Sequence, residues 1–178
     1  MSDSLNFCLT FESGLSSVIT GLSRQLSLGL TTDYVLSPEA LPHVTIMKIS
    51  EPSSRSAEVW EKLAPSLPPR LALRFEGLRF MPGKGSGLWV EICVARTAEL
   101  QLLQELASRH LRGYNTRTAV GDAWRPHVSL LGSVNGQLPA HIPLDRSLLL
   151  AEEVIATPTL GRDIAPGVLT DILHRPEF

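Results

Sequence analysis

Pro42-His43-Val44-Thr45 and Pro126-His127-Val128-Ser129 are two copies of one tetrapeptide pattern: proline, histidine and valine, followed by a residue with a hydroxyl group. Each copy leads into an apolar run, Ile46-Met47 in the first case and Leu130-Leu131 in the second. A short apolar run with proline only at its leading edge is typical of a β-strand. Because side chains alternate between the two faces of a strand, each histidine shares a face with its hydroxyl, and the valines point the other way.

Two such pairs suit acid–base chemistry on a phosphate ester. The unperturbed pKa of histidine, about 6.5, lets one imidazole take a proton while another gives one near neutral pH. Each hydroxyl lies roughly 7 Å along the strand from its histidine and can hold a phosphoryl oxygen. Arg125 joins the polar face of His127 if the strand begins that early, and Pro126 favours an extended backbone at Arg125. One His-x-Thr alone most often marks a half-buried strand, but two in matching surroundings indicate a shared site.

The surroundings match because the two halves of the chain repeat one order of elements. In each half a strand, a helix and a loop precede the tetrapeptide, and Cys8 and Cys93 sit in the two leading strands at nearly the offset of the histidines. Gly29 and Gly113 are the expected helix stops, and Thr97 can cap the second helix. The expected elements are strands at 5–11 and 88–94, helices from about 15 to 26 and 97 to 111, and loops carrying Tyr34 in the first half and Tyr114 and Trp124 in the second.

The rest of the chain fits this plan. A helix is expected over residues 54–63, and strands over 71–75, 148–155 and 168–173. The glycine-rich stretch 83–87 is interpreted as a turn between strands, since it lacks the spacing of a phosphate-binding loop and leads into a strand.

Composition limits the function further. The 178 residues carry 43% hydrophobic residues and a net charge of −2, with an isoelectric point near 6.2. Such a balance argues against a protein that grips long RNA or DNA, and favours a small or terminal phosphate substrate. No apolar run approaches the ~20 residues that span a bilayer, and no secretory signal is evident. Two cysteines in predicted strands favour reduced thiols and a cytoplasmic protein.

Taken together, the doubled motif resembles that of the two-histidine (2H) phosphoesterase superfamily, which includes the bacterial 2′-5′ RNA ligase and cyclic phosphodiesterase group. The segment from Arg125 to Leu130 is similar to that group's C-terminal motif, which often reads Arg-Pro-His-x-Thr. The chain departs from the bacterial ligases at Met47-Lys48-Ile49 and at Leu131-Gly132-Ser133. The resemblance implies an α+β fold with two pseudo-symmetric lobes around a central cleft, each an antiparallel sheet with outer helices. It implies a single bilobal domain over 1–178, with repeat halves of about 1–82 and 83–178.

The same resemblance implies a metal-independent phosphodiesterase with no cofactor, acting on 2′,3′-cyclic phosphate or 2′-5′-linked nucleotides or RNA ends. His127 would be the general base and His43 the general acid, with Thr45, Ser129 and Arg125 holding the phosphate. Three aromatic residues are candidates to stack on a base, although each also fits ordinary packing; they are Tyr34, Trp89 and Trp124. We expect a monomer whose partner is a small phosphodiester, with no membrane and no long nucleic acid.

Three other interpretations stay open. The scaffold could bind a phosphorylated nucleotide without cleaving it, although a pure binder has little need for both imidazoles. The histidines could ligate zinc, although such sites usually need three or four ligands and only Asp122 offers a carboxylate near either motif. The substrate could also be a cyclic oligonucleotide signal or an ADP-ribose cyclic phosphate. The remaining histidines, His110, His141 and His174, are expected to be structural or solvated.

Overall fold

The structure is a computed structural model that describes residues 3–83, 85–135, 153–165 and 167–176. Its strands run antiparallel, and its helices lie outside the sheet. The elements in chain order are β1 (Ser4–Phe11), α1 (Ser13–Ser27), β2 (Thr31–Val35), β3 (His43–Ile49), α2 (Ser56–Leu63), β4 (Leu71–Leu73), β5 (Phe75–Pro82), β6 (Leu88–Val94), α3 (Ala98–His110), β7 (His127–Asn135), β8 (Val154–Ala165) and β9 (Val168–His174).

The strands follow the path β4-β8-β1-β3-β7-β6-β5, with β2 added to β7 and β9 added to β8. In the middle of this path β3 and β7 pair only at Val44 and Val128. That narrow junction divides the sheet into two lobes, one built on β1, β3, β4, β8 and β9 and the other on β2, β5, β6 and β7. The expected α+β architecture with a large antiparallel sheet is therefore confirmed.

The lobes do not follow the two halves of the sequence. In the first lobe β8, from the end of the chain, pairs with β1, and in the second lobe β2, from the beginning, pairs with β7. The helices are exchanged in the same way, since α1 contacts β2 and β7 while α3 contacts β3 and β4. Each lobe thus takes elements from both halves, and one contiguous apolar core connects them.

Local sequence explains where the helices begin and end. The Thr97 side chain accepts a hydrogen bond from the backbone N–H of Leu100 (3.3 Å), which caps α3 as predicted. The chain leaves α1 through Gly29, whose φ of 78° is readily adopted only by glycine. Ile19 and Leu26 of α1 are fully buried, and burying side chains of this size contributes about 1.5–3 kcal/mol each. Among the described residues, no helix is long and apolar enough to cross a membrane.

A β-bulge follows the first motif. Cys8 pairs with Thr45 and Phe7 with Met47, so Ile46 has no partner on β1. The extra residue shifts the alternation of β3 by one position. As a result Lys48, and not Met47, rejoins the face that carries His43 and Thr45, while Met47 is buried in the core.

The second motif is followed by the same device. Glu91 pairs with Ser129 and Val90 with Leu131, so Leu130 is the unpaired residue. Gly132 then occupies the position that Lys48 has in the first lobe. The two cysteines have different partners in these registers. Cys8 lies opposite Thr45, and Cys93 lies opposite His127.

Several elements differ from the sequence-based expectation. The segment around Tyr34, expected as a loop, forms β2 on the edge of β7. The strand expected over 71–75 breaks at Arg74 into β4 and β5, which pair with different lobes. The strand expected over 148–155 lies mostly outside the described residues, and β8 extends it to Ala165. The part of β8 beyond residue 155 was not predicted because it contains Pro158 and Gly161. These residue types are disfavoured inside strands and often mark irregular pairing.

Candidate active site

The register of β3 and β7 brings the two motifs face to face. Val44 and Val128 are the paired residues, and both are fully buried. In an antiparallel pair, the positions on either side of them lie across from each other on the opposite face. His43 therefore lies across from Ser129, and Thr45 across from His127. Each histidine faces the other motif's hydroxyl.

These four residues line one cavity of about 480 Å³ between the lobes. A cavity of this size fits a small ligand better than a polymer. Five more of its lining residues are cationic or aromatic side chains that can contact a nucleotide: Lys48, Trp89, Arg117, Trp124 and Arg125.

Both imidazoles are oriented by the same backbone contact. His43 Nδ1–H donates to the carbonyl oxygen of Leu41, and His127 Nδ1–H donates to that of Arg125, each at 2.8 Å. In both motifs the acceptor lies two residues before the histidine. The contact fixes the tautomer and leaves each Nε2 for chemistry.

The surroundings of His43 favour the neutral imidazole. Burial lowers the pKa of His43 to about 4; the charges of Lys48 and His127 act in the same direction, while the bond to Leu41 opposes them. The side chain of Asn6 donates to His43 Nε2 and to Thr45 Oγ1, both at 3.3 Å. His43 is only 5% exposed, yet it lines the cavity, so Nε2 is a shielded acceptor at the cavity wall.

His127 has a different neighbour. Its side chain is 30% exposed, and its Nε2 lies 3.7 Å from Oε2 of Glu91, a buried carboxylate on β6. The other oxygen of Glu91 lies 3.4 Å from the guanidinium of Arg79 and 3.6 Å from that of Arg125. This second histidine thus faces a negative charge where His43 faces a neutral amide.

Positive side chains surround the cavity mouth. Arg125 is half exposed. Lys48 lies 2.7 Å from Asp163, a nearly buried carboxylate on β8. Arg117 comes from the loop that follows α3, which is tied to the end of β3 through the bond from Arg117 N–H to the Lys48 carbonyl (3.0 Å). The cavity therefore offers cations to an anionic ligand although the chain as a whole is slightly acidic.

Two of the three candidate stacking residues line the cavity. Trp89 is half-buried there, whereas Trp124 is 4% exposed and donates its indole N–H to the Thr45 carbonyl (3.3 Å). The structure does not bring Tyr34 to the cavity: its ring stacks on Trp89 with centroids 5.5 Å apart. Gly132 makes room for this stack, since a Cβ there would lie 2.8 Å from the Trp89 ring.

Four residues of the site were not singled out from the sequence: Asn6, Lys48, Glu91 and Arg117. Alternation puts Asn6 and Glu91 on the faces of β1 and β6 opposite to Phe7 and Val90, and a charged residue within the apolar run of β6 was the available signal for Glu91. Lys48 had no such signal, because strict alternation assigns Met47 to its face and the bulge was not anticipated.

The other histidines lie away from the cavity or outside the described residues. His174 stacks on Trp60 and contacts Ser56, and His110 ends α3. His141 lies outside the described residues. Within the described ranges, no three His, Cys, Asp or Glu side chains cluster as metal ligands.

Comparison with known proteins agrees with this geometry. The family model of the 2′-5′ RNA ligase superfamily matches residues 31–146, well over half of the chain. No match is found among curated protein sequences.

Solved structures share the fold at low sequence identity. The protein TT0787 of Thermus thermophilus is 12% identical with a TM-score of 0.62, covering 97% of this chain and 96% of its own. Escherichia coli LigT, solved with phosphate, is 16% identical with a TM-score of 0.58, covering 97% and 95%. Usb1 of Kluyveromyces marxianus is 12% identical with a TM-score of 0.52, covering 96% and 95%. The family match, with the doubled motif and the bilobal fold, shows that this chain belongs to the 2′-5′ RNA ligase superfamily, among the 2H phosphoesterases.

Proposed function

We propose that the protein is a metal-independent phosphodiesterase that hydrolyses 2′,3′-cyclic phosphates or 2′-5′-linked nucleotide and RNA-end phosphodiesters. The observation that carries the proposal is the crossed arrangement of two histidines and two hydroxyls around one cavity of about 480 Å³. A phosphodiester there would have an imidazole on each side and a hydroxyl beside each imidazole. The cytoplasmic location and monomeric state expected from the sequence belong to this proposal as well.

In our mechanism His43 is the general base and His127 the general acid. This order is the reverse of the one that the family resemblance implied, and it follows the local contacts. The depressed pKa of His43 keeps its imidazole neutral at neutral pH, so Nε2 keeps a lone pair. That lone pair accepts from Asn6 in the resting protein, and in our scheme the attacking water takes the place of Asn6. Oε2 of Glu91 lies 3.7 Å from His127 Nε2, the atom that gives up a proton in this scheme.

Hydrolysis of a cyclic phosphate moves one proton at each histidine. His43 Nε2 takes a proton from a water molecule, whose oxygen attacks phosphorus and forms the new P–O bond. The bond from phosphorus to one ribose oxygen breaks, and His127 Nε2–H protonates that oxygen as it leaves. A second proton exchange with solvent returns both imidazoles to their starting states.

The hydroxyls and cations act on the charge that develops on phosphorus. Thr45 and Ser129 donate hydrogen bonds to the non-bridging oxygens, and Arg125 neutralises the negative charge. E. coli LigT, a similar fold, was solved with phosphate, in keeping with an anion site between the lobes. Trp89 is the surface on which we place the base of the substrate, with Trp124 closing the opposite wall and Tyr34 supporting Trp89 from behind.

A substrate panel tests the proposal. Nucleoside 2′,3′-cyclic phosphates, 2′-5′-linked dinucleotides, cyclic oligonucleotides and an ADP-ribose cyclic phosphate are incubated with the protein in EDTA and products are identified. We expect cleavage of at least one of the first two classes, resistant to chelation and absent in the His43→Ala/His127→Ala double variant. Binding without cleavage over prolonged incubation would instead indicate a non-catalytic nucleotide-binding protein, and loss of activity in EDTA would contradict the metal-independent scheme.

A further inference from the structure

Glu91 is a buried acid in an unusual setting. Its side chain is 1% exposed, and its Oε2 atom makes no hydrogen bond within the described part of the chain. Leaving a carboxylate oxygen buried without a partner is costly, so a group that stabilises it is expected nearby. Among the described side chains, the ionisable nitrogen that faces Oε2 is His127 Nε2, at 3.7 Å.

The two oxygens of Glu91 have separate surroundings. Oε1 faces the guanidinium groups of Arg79 on β5 and Arg125 before β7. Oε2 lies on the other side, towards His127. Glu91 is also paired directly with Ser129 in the β6–β7 register, which places it in the row of residues that carries the reaction.

We propose that Glu91 is a positioning residue that holds a proton on His127 Nε2 and so makes His127 the general acid. The carboxylate stays ionised throughout and does not touch the substrate. This inference rests on the proposed function for the acid role of His127. The location of the proton in the resting protein is a property that can be measured without any substrate.

Other charges around His127 must be considered with Glu91. The Arg125 guanidinium faces Oε1 of the same carboxylate, and the Cys93 thiol lies opposite His127 in the register, with a pKa raised mainly by burial. The remaining charged or titratable side chains on the described strands packed around the site are Cys8 on β1, Asp33 and Tyr34 on β2, His43 and Lys48 on β3, and Glu76 and Arg79 on β5. Glu91 is the buried carboxylate on the His127 side, so its removal leaves mostly positive groups there.

The expected signature is a displaced alkaline limb of the pH–rate profile. A general acid works only while protonated, so activity falls on the alkaline side as the proton leaves His127. An opposite charge within about 4–6 Å typically moves such a titration by about 1–3 pH units. In Glu91→Gln we therefore expect the alkaline limb to move to lower pH by about one unit or more. At pH values above the displaced limb, kcat should be about tenfold or more lower than in the parent protein. KM should change less than kcat.

The test combines rates with ring titration by nitrogen NMR of His127 in the substrate-free protein. Glu91→Gln keeps the shape of the side chain and removes its charge, and Glu91→Asp keeps the charge but withdraws it by one methylene. We expect the limb and the ring titration to move together, furthest in Glu91→Gln and less in Glu91→Asp. Glu105→Gln is the matched control: it removes an exposed carboxylate on α3 that accepts from the Gln101 side chain at 3.2 Å, and neither readout should move.

A second variant should shift the alkaline limb in the opposite direction, and it keeps the inference testable if Glu91→Gln does not fold. Arg79→Gln removes a cation that competes for Glu91, so the limb and the ring titration should move to higher pH. Unchanged His127 titration in folded Glu91→Gln, or a shift to lower pH in Arg79→Gln, would overturn the inference. If the histidine variants remain active, the proposed function itself fails, whereas the ring titration still decides the role of Glu91.

Discussion

The two histidine motifs share a backbone frame and differ in the charge beside it. Each has the same bond from Nδ1 to a carbonyl two residues back and the same bulge after the hydroxyl. His43, however, is buried beside the neutral Asn6, and His127 is more open beside the anionic Glu91. A repeated fold therefore places two identical side chains symmetrically, and the neighbouring strand of each lobe makes them unequal.

The two motifs also differ in the residue that follows each bulge on the cleft face. The first bulge is followed by Lys48 and the second by Gly132, at equivalent positions of the cleft face. Lys48 brings a cation to the cavity, whereas Gly132 leaves the space that the Trp89 ring occupies. Beyond the bulges, the first motif thus contributes a cation to the cavity, and the second contributes an aromatic end formed by the Trp89 ring.

The largest effect should come from removing each histidine and varying the leaving group. We expect His43→Ala and His127→Ala to lower kcat on a cyclic nucleotide by about 10²–10⁴-fold, the usual contribution of a positioned acid or base. A p-nitrophenyl phosphodiester needs no proton on its leaving group, so it should restore much of the rate to His127→Ala but not to His43→Ala. Restoration of His43→Ala instead would reverse the assignment of acid and base.

Stability should depend on pH through the buried His43. Its pKa is about 4 in the folded protein and about 6.5 in the unfolded chain, so the unfolded state binds the proton first as the pH falls. The free energy of unfolding should be highest above about pH 6.5 and fall between there and about pH 4, by at most about 3 kcal/mol. Urea titrations across this range, compared with His43→Gln, measure the loss; an equal loss in both proteins would assign it to other groups.

The aromatic end of the cavity can be disturbed through Gly132. A methyl group there would collide with the Trp89 ring, at 2.8 Å, and with the Asp33 carboxylate, at 2.7 Å. We expect Gly132→Ala to raise KM for a nucleotide by roughly tenfold, since stacking contributes about 1–3 kcal/mol per base. A phosphodiester without a base is the control substrate, and an equal loss on both would place the effect outside base binding.

The smallest effect should come from the Tyr34 hydroxyl. That oxygen is buried and has no hydrogen-bond partner within the described residues, and its ring supports Trp89 from behind. Tyr34→Phe keeps the ring and removes an unsatisfied polar atom, so KM should stay unchanged and the melting temperature should stay equal or rise slightly. A marked increase in KM would return Tyr34 to the residues that contact substrate.

Sequence patterns correctly predicted the motif strands, the helices and the strand face on which each histidine lies. These predictions succeeded because the signals are local: Thr97 caps the helix that begins after it, and alternation around Val44 and Val128 puts each histidine on the face opposite to its valine. They failed where an outcome depends on pairing between distant segments. The bulge that exposes Lys48 and the edge strand containing Tyr34 are both fixed by partner strands that the local pattern does not reveal.

The charge difference between the motifs was only partly accessible from sequence. Alternation placed Glu91 on the face of Trp89, but its distance to His127 follows from the β6–β7 register. The direction of the His43 pKa shift depends on burial by both lobes, which no single segment determines. Site chemistry in this fold is therefore less predictable than site location.

The exchange of helices and strands between the halves has a consequence for how the molecule is held together. α1 needs β7 as its packing surface and α3 needs β3, so a fragment ending near residue 82 would expose the apolar side of α1 to water. Neither half can close its own core without the other. Cleavage between residues 82 and 88 should consequently leave two tightly associated fragments, and the cavity between the lobes would survive the cut.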